Sequence, residues 1–271
     1  MIIDTHCHLD KEDYEDVEEI ISHMENNIMI VCTATLDDID EVINLCETHD
    51  NIFGTIGIHP EFADVYTEKH LEKIKKYLTH PKVVAIGEIG LDYHYTEENK
   101  EKQKELLIKQ IRLANNYHKT IVIHTRDALE DTYNILKEYK DPNIKVDFHC
   151  YEGNEDQAKK LLKLNATFGI GGILTFKNDK RLKKVVQNVP LSSLVLETDC
   201  PYLTPTPLRG HRNEPVYVKY TAKFLSELLN EDLNKILDIT TENAIRQFDL
   251  KNKLWYTSKG FNFEIWGELW K

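Results

Sequence analysis

Residues 83–89 read VVAIGEI, residues 96–117 read TEENKEKQKELLIKQIRLANNY, and residues 120–124 read TIVIH. The first and third runs are short and mostly apolar, the signature of strands buried on both faces. The middle run is long and amphipathic, which suits a helix lying over those strands. Strand, covering helix and strand in this order make a βαβ unit, in which the two strands run parallel.

The same alternation extends in both directions. Strands are expected at Met1–Thr5, Ile28–Cys32, Ile52–Ile58, Val83–Ile89, Thr120–His124, Ile144–His149, Ala166–Gly171 and Ser193–Glu197. Helices are expected at Lys11–Asn26, Asp37–His49, Thr67–Leu78, Thr96–Tyr117, Asp127–Tyr139, Asn154–Leu164, Asp179–Gln187 and Pro215–Leu229. Eight such units close into a single-domain α/β fold, a (β/α)8 TIM-type barrel. An open doubly wound sheet is the alternative, but no Gly-rich dinucleotide loop follows the first strand. The barrel should end near Asn243–Leu250, giving a hydrolase domain over residues 1–250. Residues 251–271 form a C-terminal extension that holds all three tryptophans, Trp255, Trp266 and Trp270. An alternating apolar run follows Ser258-Lys259-Gly260, which predicts a hairpin. Its aromatic side chains are expected to pack on their own barrel or on a second subunit, making a homo-oligomer. Base stacking beside the lysines is the alternative.

With 41% apolar residues among 271, the chain has material for one large core, and disorder is excluded. No apolar run approaches the roughly 20 residues of a membrane span. The start, Met1 to His6, lacks the basic region and apolar core of a signal peptide. Five cysteines, an odd number with no CxxC pair, point to free thiols, no disulfide partner and a cytoplasmic location. The net charge of -12 at first argues against a nucleic-acid partner. Its distribution changes that reading: residues 1–50 hold 15 acidic side chains and Lys11 alone, whereas the remainder sums to +2. The acidic segment reads as two solvated helix faces, Glu12–Glu25 and Asp37–Asp50.

His6 and His8 lie two apart at the end of the first strand, so both imidazoles project to the same side. Alone, such a pair is more often two hydrogen-bonded core histidines than a metal site. The other strand ends strengthen the metal reading. Glu88 ends strand four, His124 strand five, His149 strand six, and Glu197-Thr198-Asp199 strand eight, while His59 follows strand three. The C-terminal mouth of a β/α barrel is where such side chains converge. Six polar ligands exceed what one four-coordinate ion needs, which favours two divalent ions, with Zn, Mn, Fe or Mg admissible. Cys7, Cys150 and Cys200 neighbour these residues but alternate away from them and read as packing residues. Gly169, Gly171 and Gly172 are expected to allow close backbone approach at strand seven.

These stretches, together with Ile3 to Leu9, Gly57 to Pro60, Gly87 to Tyr93, His124 to Ala128, His149 to Tyr151, Gly172 to Asn178, Glu197 to Leu203 and Arg209 to Pro215, resemble the TatD family of metal-dependent deoxyribonucleases. The resemblance covers residues 1 to about 250 and leaves the aromatic extension outside. It implies that His6, His8 and Asp199 hold one metal, His124 and His149 the other, and that Glu88 bridges them. Asp199 would also position the attacking water and take its proton, so Asp199 and Glu88 are the expected catalytic residues. It implies DNA as substrate, with 3′→5′ trimming of single strands. Arg126, Lys177, Arg209 and Arg212 fall on predicted mouth loops and are expected to contact phosphates, or in some cases to pair with Glu214 or Asp127 instead. His59 either orders its loop or hydrogen-bonds substrate. Deacylation of mischarged aminoacyl-tRNA at the same centre is the nearest rival, and a non-catalytic binding or scaffold barrel is a rival of another class.

Overall fold

The computed structural model describes residues 1–94, 98–251 and 253. Eight strands, β1 (Ile3–Cys7), β2 (Ile28–Cys32), β3 (Ile52–Ile56), β4 (Val83–Asp92), β5 (Thr120–Arg126), β6 (Val146–Phe148), β7 (Ala166–Ile170) and β8 (Leu194–Leu196), follow one another round a parallel sheet. The seam between β8 and β1 is closed by the backbone just beyond β8. Asp199 N–H donates to His6 O at 2.9 Å, and His8 N–H donates to Cys200 O at 3.0 Å. Buried Asp4 staples the same seam, its carboxylate accepting from Thr198 N–H at 2.9 Å and from Thr198 Oγ1 at 2.6 Å. The (β/α)8 barrel follows.

Around it lie α1 (Val17–Ser22), α2 (Ile39–Thr48), α3 (Glu68–Tyr77), α4 (Lys100–Tyr117), α5 (Leu129–Tyr139), α6 (Glu155–Leu161), α7 (Arg181–Asn188), α8 (Val218–Leu229) and α9 (Leu233–Gln247). Two differences from the sequence reading stand out. The helix expected over Lys11–Asn26 shrinks to α1. Residues 10–16 form a turn instead, in which Asp10 O accepts from Asp13 and Tyr14 N–H. That turn is tied to a distant loop by Tyr14 Oη, which donates to Asn213 O at 2.6 Å, and by Arg212, whose two nitrogens grip Asp16 at 2.8 and 2.7 Å. Tertiary anchoring there overrides helix propensity. The second difference is α9, which was not expected as a helix. Asp232 caps it, accepting from Asn234 and Lys235 N–H. The predicted hairpin of the C-terminal extension lies outside the described residues. Among the described residues, no helix is long and apolar enough to cross a membrane, and all five cysteines are free.

Strand alternation sorts the barrel into zones. Side chains facing the helices, such as Met29, Val31, Ile52, Ile56, Ile121 and Ile123, join the main apolar core. On the inner face, Ile28, Ile30, Phe53, Val122 and Val195 form a second cluster that α9 and the residues after it close from below with Ala244, Phe248 and Leu250. Two residues further along each strand stand Cys32, Thr55, His124 and Glu197, all on the same inner face. The interior therefore turns from apolar at the floor to polar towards the C-terminal mouth, which is the end that supplies chemistry in such barrels.

Candidate metal centre

The mouth collects side chains from the C-terminal parts of five strands and the residues just after them; β4, expected to end at Ile89, runs on past Glu88 to Asp92. His6 Nε2 and His8 Nε2 lie 3.2 Å apart. Glu88 Oε1 is 3.4 and 3.6 Å from them, and Asp199 Oδ1 is 3.7 Å from each. Donors arranged tetrahedrally on an ion at about 2.0–2.2 Å stand roughly 3.3–3.6 Å from one another. This group therefore has the edge lengths of a coordination shell. On the other side of Glu88, Oε2 is 3.2 Å from His124 Nδ1 and 2.8 Å from His149 Nε2, and those two nitrogens are 3.4 Å apart. One carboxylate thus turns one oxygen to each of two donor groups. His6, His8 and Glu88 meet as a possible ligand set, as do His6, His149 and Asp199, and His59, Glu88 and His124. No cysteine belongs to these sets, in keeping with the packing role read for Cys7, Cys150 and Cys200.

Each ring is aimed by what its other nitrogen touches. Cys32 serves both histidines of β1: its Sγ is 3.3 Å from His6 Nδ1 and its carbonyl accepts from His8 Nδ1 at 3.2 Å. Asp92 Oδ2 is 3.1 Å from His124 Nε2, which leaves Nδ1 of that ring facing Glu88. Such partners fix tautomer and orientation in metal-binding histidines. Neither Cys32 nor Asp92 was singled out from sequence. Asp92 was accessible to such a reading, because it lies four residues after Glu88 on β4 and so shares its face. Gly90 between them is needed for close approach: a Cβ there would lie 1.7 Å from His124 O. Replacing Asp92 by Ala is expected to weaken one metal equivalent by about 10–100-fold. Competition against a chromophoric chelator measures this, and unchanged affinity would remove Asp92 from that role.

The electrostatics suit cations. Burial opposes ionisation of Glu88, but the His149 charge and hydrogen bonds from His124, His149 and His6 outweigh it and hold the carboxyl well below its usual range. Burial likewise opposes Asp199, and His8 with His149 and His6 pulls it down. Both are therefore anions near neutral pH. Burial, with His149 beside it, takes the His6 imidazole down to about 4. For His8, burial is outweighed by the Asp199 hydrogen bond and the Glu88 charge, which carry it up to about 10. For His124, burial is outweighed by Asp92 and Glu88, which carry it up to about 9. Metal binding would have to displace those imidazolium protons, as binding to histidine sites generally does.

Beneath the donors lies a second polar tier. Glu197 is fully buried; its Oε1 accepts from Cys150 N–H at 2.5 Å, while Oε2 has no hydrogen-bond partner among the described residues. Burial and the adjacent Asp147 keep it well above the usual carboxylate range. Gly169 leaves room for it, since a Cβ at that position would stand 2.0 Å from Glu197 Oε2. The close approach expected at this glycine is thus to a side chain rather than to backbone. Glu197 ties the turn after His149 to the strand that leads into Asp199.

Above the donors the mouth opens as a cavity of about 910 Å³. Of the residues expected to contact substrate, His59 and Arg126 line it, and Lys177, Arg209 and Arg212 do not. Arg212 is instead committed to Asp16. His59 orders its loop and also turns its other nitrogen towards the donors. Its Nδ1 accepts from Glu61 N–H at 3.3 Å, ordering the loop, and its Nε2 lies 3.9 Å from Glu88 Oε2. The acidic N-terminal segment also needs correcting. Asp10, Glu12, Asp13, Asp37, Asp38 and Glu41 line the cavity, so six of those 15 acidic side chains form one wall of the mouth rather than only the solvated helix faces expected. Loops after β1 and β2 necessarily rise at the C-terminal end of the barrel.

Comparison with known proteins agrees with this architecture. Residues 3–249 match the family model described as TatD related DNase. The chain is 43% identical over 252 residues to the uncharacterized metal-dependent hydrolase YabD of Bacillus subtilis (strain 168), spanning 92% of this chain and 99% of that one. It is 35% identical over 257 residues to the uncharacterized metal-dependent hydrolase YcfH of Escherichia coli (strain K12), spanning 92% and 96%. Among solved structures, YJJV, a TatD homologue from Escherichia coli K12, superposes with a TM-score of 0.85 at 28% identity, covering 92% of this chain and 98% of that one. A barrel with converging histidines and carboxylates at its mouth, matched over residues 3–249 by the family model and over 92% of its length by these relatives, belongs to the TatD family of metal-dependent hydrolases.

Proposed function

We propose that this protein hydrolyses phosphodiester bonds in DNA at a centre of two divalent metal ions. The observation that carries the reading is Glu88, whose Oε1 faces His6 and His8 while its Oε2 faces His124 and His149. His6, His8 and Asp199 would hold one ion, His124 and His149 the other, and Glu88 both. Zn, Mn or Mg is compatible with these donors. Divalent ions so placed supply Lewis acidity to the phosphoryl oxygens and lower the pKa of an attacking water. The residues do the rest. Asp199 is an anion at the lip of the donor group and accepts the proton of that water. His59 Nδ1 accepts from a backbone N–H, so in the neutral ring Nε2 carries the proton and presents it to the mouth. Arg126 follows His124 by two residues on β5 and lines the cavity; in this reading it meets a phosphate oxygen.

The test is a metal-analysed preparation offered single-stranded DNA and aminoacyl-tRNA side by side. Chelation should abolish DNA hydrolysis and added Mn or Mg should restore it. Deacylation of the tRNA by a metal-loaded protein that leaves DNA intact would replace this reading with the deacylase one. Bound metals with neither reaction would favour a different substrate or a binding role.

A further inference from the structure

We infer that a single-stranded nucleic acid leaves the metal centre along a ridge built from two loop segments, residues 172–177 after β7 and residues 202–209 after β8. The inference rests on the phosphodiesterase reading and gives that substrate a direction. The two segments are packed edge to edge and run outward together. At the inner end a Cβ on Gly172 would stand 2.0 Å from Leu203 O, so only glycine admits the contact. Further out, Thr206 N–H donates to Thr175 Oγ1 at 2.8 Å. At the outer end the Arg209 guanidinium lies 3.9 Å from the centre of the Phe176 ring.

The chemistry changes along the ridge in the order a strand would need. Ile173, Tyr202 and Leu203 belong to the lining of the metal cavity. Tyr202 is 60% exposed, a large aromatic face held in water beside the donors. A tyrosine so placed is a platform for stacking a base, a contact that tolerates any sequence. Beyond it come Lys177, Lys180 and Arg209, all exposed and paired with no acidic side chain among the described residues. Elsewhere on the surface Lys73, Lys102, Lys109, Lys145 and Lys160 are tied to carboxylates, while Lys69, Lys137 and Lys163 are exposed without an acidic partner among the described residues. What sets Lys177 and Arg209 apart is that the segments bearing them run out from the cavity lining. Unpaired cations keep their full charge available to phosphates. The wall formed by the loops after β1 and β2 is acidic, and its one lysine, Lys11, is bound to Glu41 at 2.8 Å. A polyanion is repelled from that wall and drawn towards the β7 side. Lys177 and Arg209, outside the cavity, therefore act on nucleotides away from the scissile bond, while Arg126 acts at the bond itself.

The experiment uses the full chain loaded with Mn and compares the kcat/KM for a thymidine 20-mer with that for a thymidine dinucleotide. Lys177→Glu with Arg209→Glu should reduce the 20-mer to dinucleotide ratio at least tenfold at low salt. It should also make the dependence of log KM on log salt shallower by about 1.4 for the 20-mer, two single-strand phosphate contacts at about 0.7 each. Tyr202→Ala should lower the same ratio without changing the salt slope, and Tyr202→Phe should restore it. Lys177→Gln with Arg209→Gln should give an intermediate ratio, which separates a charge effect from loss of fold. An unchanged ratio and slope in the charge-reversed protein would overturn the ridge while leaving the phosphodiesterase reading intact. A wild-type protein that cleaves neither substrate would overturn both.

Discussion

Replacing Asp199 by Asn is expected to lower kcat on single-stranded DNA by roughly 10²–10⁴-fold, the range associated with losing a positioned proton acceptor. Asn has the same size and keeps an oxygen that can face the His6 and His8 nitrogens, which Asp199 Oδ1 approaches to 3.7 Å. It cannot carry negative charge. The structure gives that charge its importance: His8, His149 and His6 keep the carboxyl ionised against the effect of burial. The backbone at Asp199 is left-handed, with φ 55°, and its N–H is bonded to His6 O. Asn accepts that conformation readily, so the fold should survive. Circular dichroism, metal content and steady-state kinetics together check the expectation. Activity within threefold of wild type, in a protein of unchanged metal content, would sink the role assigned to Asp199.

Glu88→Gln should have a different signature. An amide has one oxygen and one NH2 group, and only the oxygen accepts. Glu88 spans both donor groups, so one of them would face an N–H2 in place of an anionic oxygen. The expected result is a fall in bound metal from two equivalents to one or fewer, with about 10²–10³-fold lower kcat/KM. Elemental analysis after equilibration with limiting Zn or Mn reads the stoichiometry directly. A Gln variant that retains two equivalents would show that Glu88 does not join the ions. Because Asp199 would also hold one ion, it is the metal content of each variant that separates loss of a proton acceptor from loss of a metal.

The two expectations draw on residues whose order along the chain already disclosed much of the site. Strand periodicity exposed the barrel because strands buried on both faces are apolar runs, and the βαβ spacing fixed their parallel direction. His6, His8, Glu88, His124, His149 and Asp199 were legible for a related reason: each was read at a strand end, and strand ends converge, although β4 runs on past Glu88 to Asp92. What escaped is set by contacts between distant segments. Cys32 aims both histidines of β1 from the neighbouring strand, a relation that follows from register and not from local pattern. Residues 10–16 resemble a helix start until Tyr14 and Arg212 draw them towards residues near 213. Arg212 was expected on a phosphate or paired with Glu214; Glu214 does stand 3.7 Å from it, and only the fold shows Asp16 holding it at 2.7 Å. The acidic segment was read as solvated helix faces because its loops' position at the mouth depends on barrel closure.

That closure also separates the ends of the molecule by task. Phe248 and Leu250 fill the floor, and Lys253 Nζ donates to Pro81 O just before β4, also at the end remote from the mouth. A label or surface tether joined close after Leu250 would therefore begin on the face opposite the donors. Immobilised through that side, the protein would present its mouth to solution. Selection can likewise alter what is joined beneath the barrel without rebuilding the chemistry above it.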